Sequence, residues 1–154
     1  MKINNVVIIR FSLIASYRTF LTSTKRFNWI KNRIDLFNRY TLPSLRNLRQ
    51  SPDLTILLFD SNDEEVYQKY LYPIITKSDK IVPVFSAYSD IHSKISKILS
   101  NRFKKNVLIS RIDSDDIVLP NFFENIFKLI SEKKYDKKYF VQSSTTSISM
   151  YSHF

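Results

Sequence analysis

Three carboxylates fall within four residues in Arg111-Ile112-Asp113-Ser114-Asp115-Asp116. The five residues before them, Asn106 to Ser110, are mostly apolar and β-branched and read as a buried strand. Carboxylates gathered where a strand ends repel one another and favour a nearby cation. If the chain stays extended, Asp113 and Asp115 point the same way, and a divalent ion can be held by one directly and by the other through water. Oxygen ligands of this kind suit Mn²⁺ or Mg²⁺, particularly when a substrate diphosphate completes the shell. The same residues can also be read as a turn or helix start, with Arg111 neutralising Asp115 and Asp116. Spacing alone leaves both readings open.

Composition limits the alternatives. A chain of 154 residues with 44% hydrophobic and 14% aromatic residues suits one domain with a real core. The absence of cysteine excludes thiolate metal sites and disulfides, and His92 and His153 are too far apart for a zinc motif. Glycine is absent as well, which removes the phosphate-cradling loops that need positive φ and close backbone approach. Nucleotide phosphates here would have to be met by side chains and a metal. The formal charge of +10 favours anionic partners, although most of the lysines are accounted for by a solvated surface and by helix ends. No apolar run approaches the roughly 20 residues of a membrane span, and the first residues lack a signal-peptide core, so a cytoplasmic protein is expected.

The elements that must carry the acidic stretch follow from the apolar pattern. Asn5 to Ile9, Leu54 to Phe59 and Asn106 to Ser110 are continuous apolar runs of the kind found in parallel strands covered on both faces. Lys80 to Phe85 is a further strand, with Pro83 favouring an edge or strand-end position over a central one. Ile30, Ile34 and Phe37 mark a helix from about Arg26 to Tyr40, and Pro43 is expected to break it at Leu42 and open a short second helix to Arg49. Asn62 with Glu65 resembles a capping box for a helix to about Ile75. Ile91, Ile95, Ile98, Leu99 and Phe103 share one face of the next helix, which Ser89 or Asp90 can cap. Asn121 and Glu124 propose a capping box for a last apolar helix, and Tyr139 to Gln142 a fifth strand that the Ser/Thr-rich run to Ser149 extends or leaves. The fold class is therefore α/β, a mainly parallel sheet with flanking helices in one domain over residues 1–154. Its ligand site is expected outside the carboxyl ends of the strands, where Asp60 and the Asp113 to Asp116 run fall.

With these residues in place, the sequence resembles the nucleotide-sugar glycosyltransferases of the A-type fold, in particular the rhamnosyltransferase-like group related to glycosyltransferase family 2. The resemblance rests on Arg111 to Asp116 as an Asp-x-Asp region, with Arg10-Phe11-Ser12, Trp29, Arg33 to Phe37, Tyr40 to Leu45, Gln50 and Leu57 to Asp60 in the same order. It implies a Rossmann-like donor-binding half and transfer of a sugar from a nucleoside diphosphate donor to a saccharide or other hydroxyl acceptor. It further implies that Asp113, Asp115 and Asp116 form the metal site, that Asp60 contacts the nucleoside, that Asp113 also meets the donor, and that Arg10 and Arg111 lie at the diphosphate or hold the carboxylates.

The resemblance ends before the acceptor-binding half that the family carries. The chain is accordingly expected to be truncated relative to the family, and no catalytic base is assigned. His153 is too near the terminus, and capping and solvation account for Glu124 and Glu132. The alternatives are a non-catalytic donor-binding remnant and a basic nucleic-acid-binding module; nucleic acid is not expected, since the acidic stretch would repel phosphate. Peripheral membrane association or a second subunit remains open as a partner. Trp29 and Phe37 are expected in the core or between helices, and His92 on a helix surface.

Overall fold

The computed structural model describes residues 3–13, 23–104, 106–132, 140–142 and 147–151. A six-stranded sheet has the order β3-β2-β1-β4-β6-β5. Strands β1 (Asn4–Arg10), β2 (Leu54–Asp60), β3 (Ile81–Ser86) and β4 (Val107–Asp113) are mutually parallel. Strand β6 (Ser147–Tyr151) runs antiparallel to β4, and β5 (Phe140–Gln142) antiparallel to β6. The Ser/Thr-rich run thus supplies a strand of its own, placed between β4 and β5.

Alternation along each strand sends side chains to two separate cores. On one face, Val7, Ile9, Leu57, Phe59, Leu108 and Ile112 pack with Ile30, Ile34 and Phe37 and with Phe123 and Ile126. These last come from α1 (Ser23–Leu36), the wide turn after it, and α5 (Phe122–Glu132). On the other face, Val6, Ile8, Ile56, Leu58, Val84 and Ile109 pack under α4 (Ile91–Arg102), whose Ile91, Ile95, Ile98 and Leu99 form the stripe expected from their spacing. Burial on both faces explains why these strands read as unbroken apolar runs. β3 is the edge strand that Pro83 requires.

Three local expectations are corrected. Pro43 does not break the helix at Leu42, which has φ −62° and ψ −45°. Instead Phe37–Thr41 forms a π turn in which Leu42 N–H reaches the carbonyl of Phe37, and α2 (Leu42–Arg46) continues from it. A proline in an uninterrupted α-helix would strike the carbonyl four residues back, and the widened turn relieves that contact. The same device recurs: Tyr67–Leu71 is a second π turn, followed at the same distance by Pro73. The two stretches, Phe37-Asn38-Arg39-Tyr40-Thr41-Leu42-Pro43 and Tyr67-Gln68-Lys69-Tyr70-Leu71-Tyr72-Pro73, match in pattern: aromatic, amide, cation, tyrosine, two further residues, proline.

The segment after β2 is a series of short turns, Ser61–Asp63, α3 (Glu64–Val66), the π turn and Tyr72–Ile74, and not one regular helix. Its cap is Asp60, which accepts the Asn62 N–H, so the capping box expected from Asn62 to Glu65 gives way to a single side-chain cap at the strand's last residue. Finally, β4 ends at Asp113, and Ser114 and Asp115 lie in a turn. Asp113 and Asp115 therefore do not share an extended strand. The turn forms because Asp116 N–H bonds to the Asp113 carbonyl at 3.2 Å while Asp116 Oδ2 accepts the Asp113 N–H at 2.8 Å.

Candidate functional site at the carboxyl edge of the sheet

The strand order reverses direction at β1: β2 and β3 lie on one side, β4 on the other. In open α/β sheets a crevice opens at such a point, outside the carboxyl ends of the two diverging strands. Those ends are Arg10 and Asp113, which are neighbours in the β1–β4 register. Arg10 Nη2 lies 3.0 Å from Asp113 Oδ1, and Nε 3.3 Å from the same oxygen. Both side chains are about two-fifths exposed, at 39% and 44%, so the pair is open to an incoming ligand.

Helix α1 contributes two more arginines from one face, since Arg26 and Arg33 are seven residues apart with Trp29 between them. Arg33 donates from Nε to Ser114 Oγ at 2.9 Å and from Nη2 to Asp115 Oδ1 at 3.2 Å. Its guanidinium carbon stands 5.3 Å from the Trp29 ring centre, a cation–π contact that orients the fork. The π turn secures the same acidic turn from below, because the buried Thr41 Oγ1 donates to the Ser114 carbonyl at 2.9 Å. Ser44 Oγ accepts the Val118 N–H at 3.1 Å.

Arg26 reaches the end of β2. Its Nη2 lies 2.7 and 2.8 Å from the two oxygens of Asp63 and 3.4 Å from Asp60 Oδ1. Burial alone would lower the Arg26 pKa, but hydrogen bonding to Asp63 and the charges of Asp63 and Asp60 outweigh it and hold the guanidinium above its ordinary value. Ser12 Oγ donates to Asp63 Oδ2 and accepts the Asp60 N–H at 3.1 Å. Asp63 is almost wholly buried, whereas the Asp60 side chain is 20% exposed.

The fold thus collects Arg10, Asp60 and Asp113, which the sequence singled out, along one edge with β1 between the two acids. Asp115 and Asp116 sit beside Asp113 but are turned to different partners, Arg33 and the Asp113 N–H. Among the described residues no three His, Cys, Asp or Glu side chains converge as a ready metal cluster. Arg111 is exposed, and among the described residues it bridges none of these acids. The partners of Asp113 and Asp115 are instead Arg10 and Arg33.

Arg26, Arg33 as an ion-pair partner, Ser12 and Asp63 were not legible as site residues. The usable signal was two cations seven apart on a helix that follows β1. His92 is exposed on α4, as expected. Phe37 is fully buried, Trp29 is half-buried against the core, and Glu124 lies 3.6 Å from Arg49. His153 and the Glu132 side chain lie outside the described residues.

No family model matches the sequence. No curated protein matches it either. Among solved structures, the crystal structure of 4-diphosphocytidyl-2C-methyl-D-erythritol synthase is similar at 12% identity and a TM-score of 0.43, over 97% of this chain and 74% of that one. A likeness at that level has no bearing on substrate or residue roles. The α/β class with a four-stranded parallel portion stands on the strand pairing itself. No helix among the described residues is long and apolar enough to cross a membrane.

Proposed function

We propose that the chain binds a nucleoside diphosphate sugar at the carboxyl edge of β1, β2 and β4 and serves glycosyl transfer of the rhamnosyltransferase-like kind. The observation that carries this reading is the Arg10–Asp113 pair at the point where the strand order reverses, flanked by Arg33 with Asp115 and by Arg26 with Asp60. In a site without glycine loops, these arginines supply the fork-shaped donors that suit a diphosphate. Asp60, acceptor-only and partly exposed, is assigned to the nucleoside.

The carboxylates of Asp113, Asp115 and Asp116 have the oxygen chemistry of a Mn²⁺ or Mg²⁺ site. Two of them are engaged by Arg10 and Arg33, so cation binding on this reading requires those arginines to move onto the diphosphate. A metal bound there would act as a Lewis acid on the departing diphosphate. The saccharide or other hydroxyl acceptor and the base that would activate it are unassigned. Donor binding without turnover is the second reading, favoured by the arginine pairing of Asp113 and Asp115.

Calorimetric titration with UDP-, GDP- and dTDP-sugars, with and without Mn²⁺, tests the proposal. Binding of one donor that is weakened by Asp113→Ala and by Asp115→Ala is expected. Failure of all three donors to bind, or binding indifferent to both substitutions, rules it out.

A further inference from the structure

Asp63 reads from the sequence as one more acid at a helix start, yet its side chain is only 4% exposed and is bonded from two directions. Both directions lead to Asp60. Through Ser12, whose Oγ donates to Asp63 Oδ2 and accepts the Asp60 N–H, the buried carboxylate fixes the Asp60 backbone. Through Arg26, whose Nη2 meets both Asp63 oxygens and lies 3.4 Å from Asp60 Oδ1, it fixes the Asp60 side chain.

Stability does not account for this arrangement by itself. Lys25 and Arg26 place positive charge in the first turn of α1, which contains no acid, against the helix dipole. A buried ion pair is moreover often no more stabilising than apolar residues of the same volume. What the arrangement does achieve is a defined direction for Asp60, the partly exposed carboxylate that ends a central strand. Asp60 is the last residue of β2, next to β1 and therefore one strand from the point where the order reverses. A carboxylate there repels phosphate and accepts hydrogen bonds, and the hydroxyls of the sugar ring are the donors that every nucleotide presents at that end.

We infer that Asp63 is a positioning residue that, through Ser12 and Arg26, sets the Asp60 carboxylate to accept a hydrogen bond from the furanose hydroxyls of the bound nucleotide. This rests on the nucleotide reading given above. Asp63 itself touches no ligand; its effect is read through Asp60.

The experiment measures calorimetric affinities of UDP, GDP and dTDP, each against its dideoxy counterpart without the free ring hydroxyls. It uses the wild-type chain, Asp60→Asn, Asp63→Asn, Ser12→Ala and Arg26→Lys, with circular dichroism to report folding. The wild type is expected to prefer the hydroxylated member of at least one pair by about tenfold, the scale of a hydrogen bond to a charged group. Asp60→Asn and Asp63→Asn should both shrink that ratio towards one, with the dideoxy affinity little changed. Ser12→Ala, which removes one arm, should reduce the ratio in part, as should Arg26→Lys, which keeps the charge and loses the Nη2 contacts to Asp63 and Asp60. Should Asp63→Asn not fold, Ser12→Ala and Arg26→Lys decide the matter. Folded variants at Asp63, Ser12 and Arg26 that keep the wild-type ratio while Asp60→Asn loses it would overturn the positioning role and leave the nucleotide reading standing. A wild type that binds nucleotide without preferring the hydroxyls also overturns it, and a wild type that binds no nucleotide overturns both.

Discussion

Arg10 and Asp113 are the last residues of the two strands that diverge at the reversal of the sheet, and their side chains meet at 3.0 Å. The pair bridges the two strand ends while leaving each partner more than a third exposed.

Because of that exposure, Arg10→Ala is expected to cost under about 1 kcal/mol of stability. Its effect on an anionic ligand should be larger, since a charge-assisted bond to diphosphate is lost: about tenfold in affinity for a nucleoside diphosphate. Urea unfolding and calorimetry on the same variant check both parts.

The Arg26–Asp63 pair behaves in the opposite way. Asp63 is 4% exposed, so Arg26→Met strands its charge, and a loss of about 3 kcal/mol is expected from denaturant midpoints. Adding Asp63→Leu in the same chain should recover much of that loss. Strict additivity of the two substitutions would show that the residues do not interact.

Thr41 ties the π turn to the acidic turn through the Ser114 carbonyl. Thr41→Val keeps the volume and removes that bond, with an expected cost of about 1–2 kcal/mol. Hydrogen exchange at the Asp116 amide, whose partner is the Asp113 carbonyl, should quicken more than exchange in β1. Equal changes in both places would mean general destabilisation.

Asp79 gives the acid limb a definite sign. Hydrogen bonding to Arg46, and then to the Thr76 N–H and hydroxyl, holds its carboxyl below the ordinary value against the opposing effect of burial. A carboxylate depressed in the folded state contributes stability above its unfolded pKa of about 4, and this is lost as pH falls through the folded value. Asp79→Asn should therefore destabilise the protein by about 1–2 kcal/mol near neutrality and flatten the fall in unfolding midpoint below about pH 4. A parallel fall for variant and wild type would contradict this.

The parts of the fold that were legible from sequence are those governed by local apolar period. The strands ending at Arg10, Asp60 and Asp113 and the stripe from Ile91 to Phe103 follow from patterns within one segment. Pro83 likewise announces an edge because the missing N–H acts wherever the residue sits. What escaped depends on distance in three dimensions. Arg33 meets Ser114 from 81 residues away, and Arg26 meets Asp63 from 37. Asp63 looked like an ordinary first-turn acid because nothing local records that Ser12 and Arg26 enclose it. The adjacency of Arg111 to the acids suggested a partnership, but the turn after Asp113 brings Asp115 to Arg33 and Asp116 to the Asp113 N–H. The continuation through Pro43 was hidden because a single wide turn has no periodic signature of its own.

That wide turn also sets an angular phase. Each α-helical residue advances about 100° around the axis, so one residue absorbed without a matching rise rotates everything after it. Ahead of the turn, α1 aims Arg26 and Arg33 at the strand ends; beyond it, Thr41 and Leu42 are both buried, and Leu45 and Leu48 keep α2 and the residues after it against the same core. Phe37–Thr41 thus works as an indexing step between two cylinders, letting one continuous rod present a charged reach at its start and a greasy heel at its end.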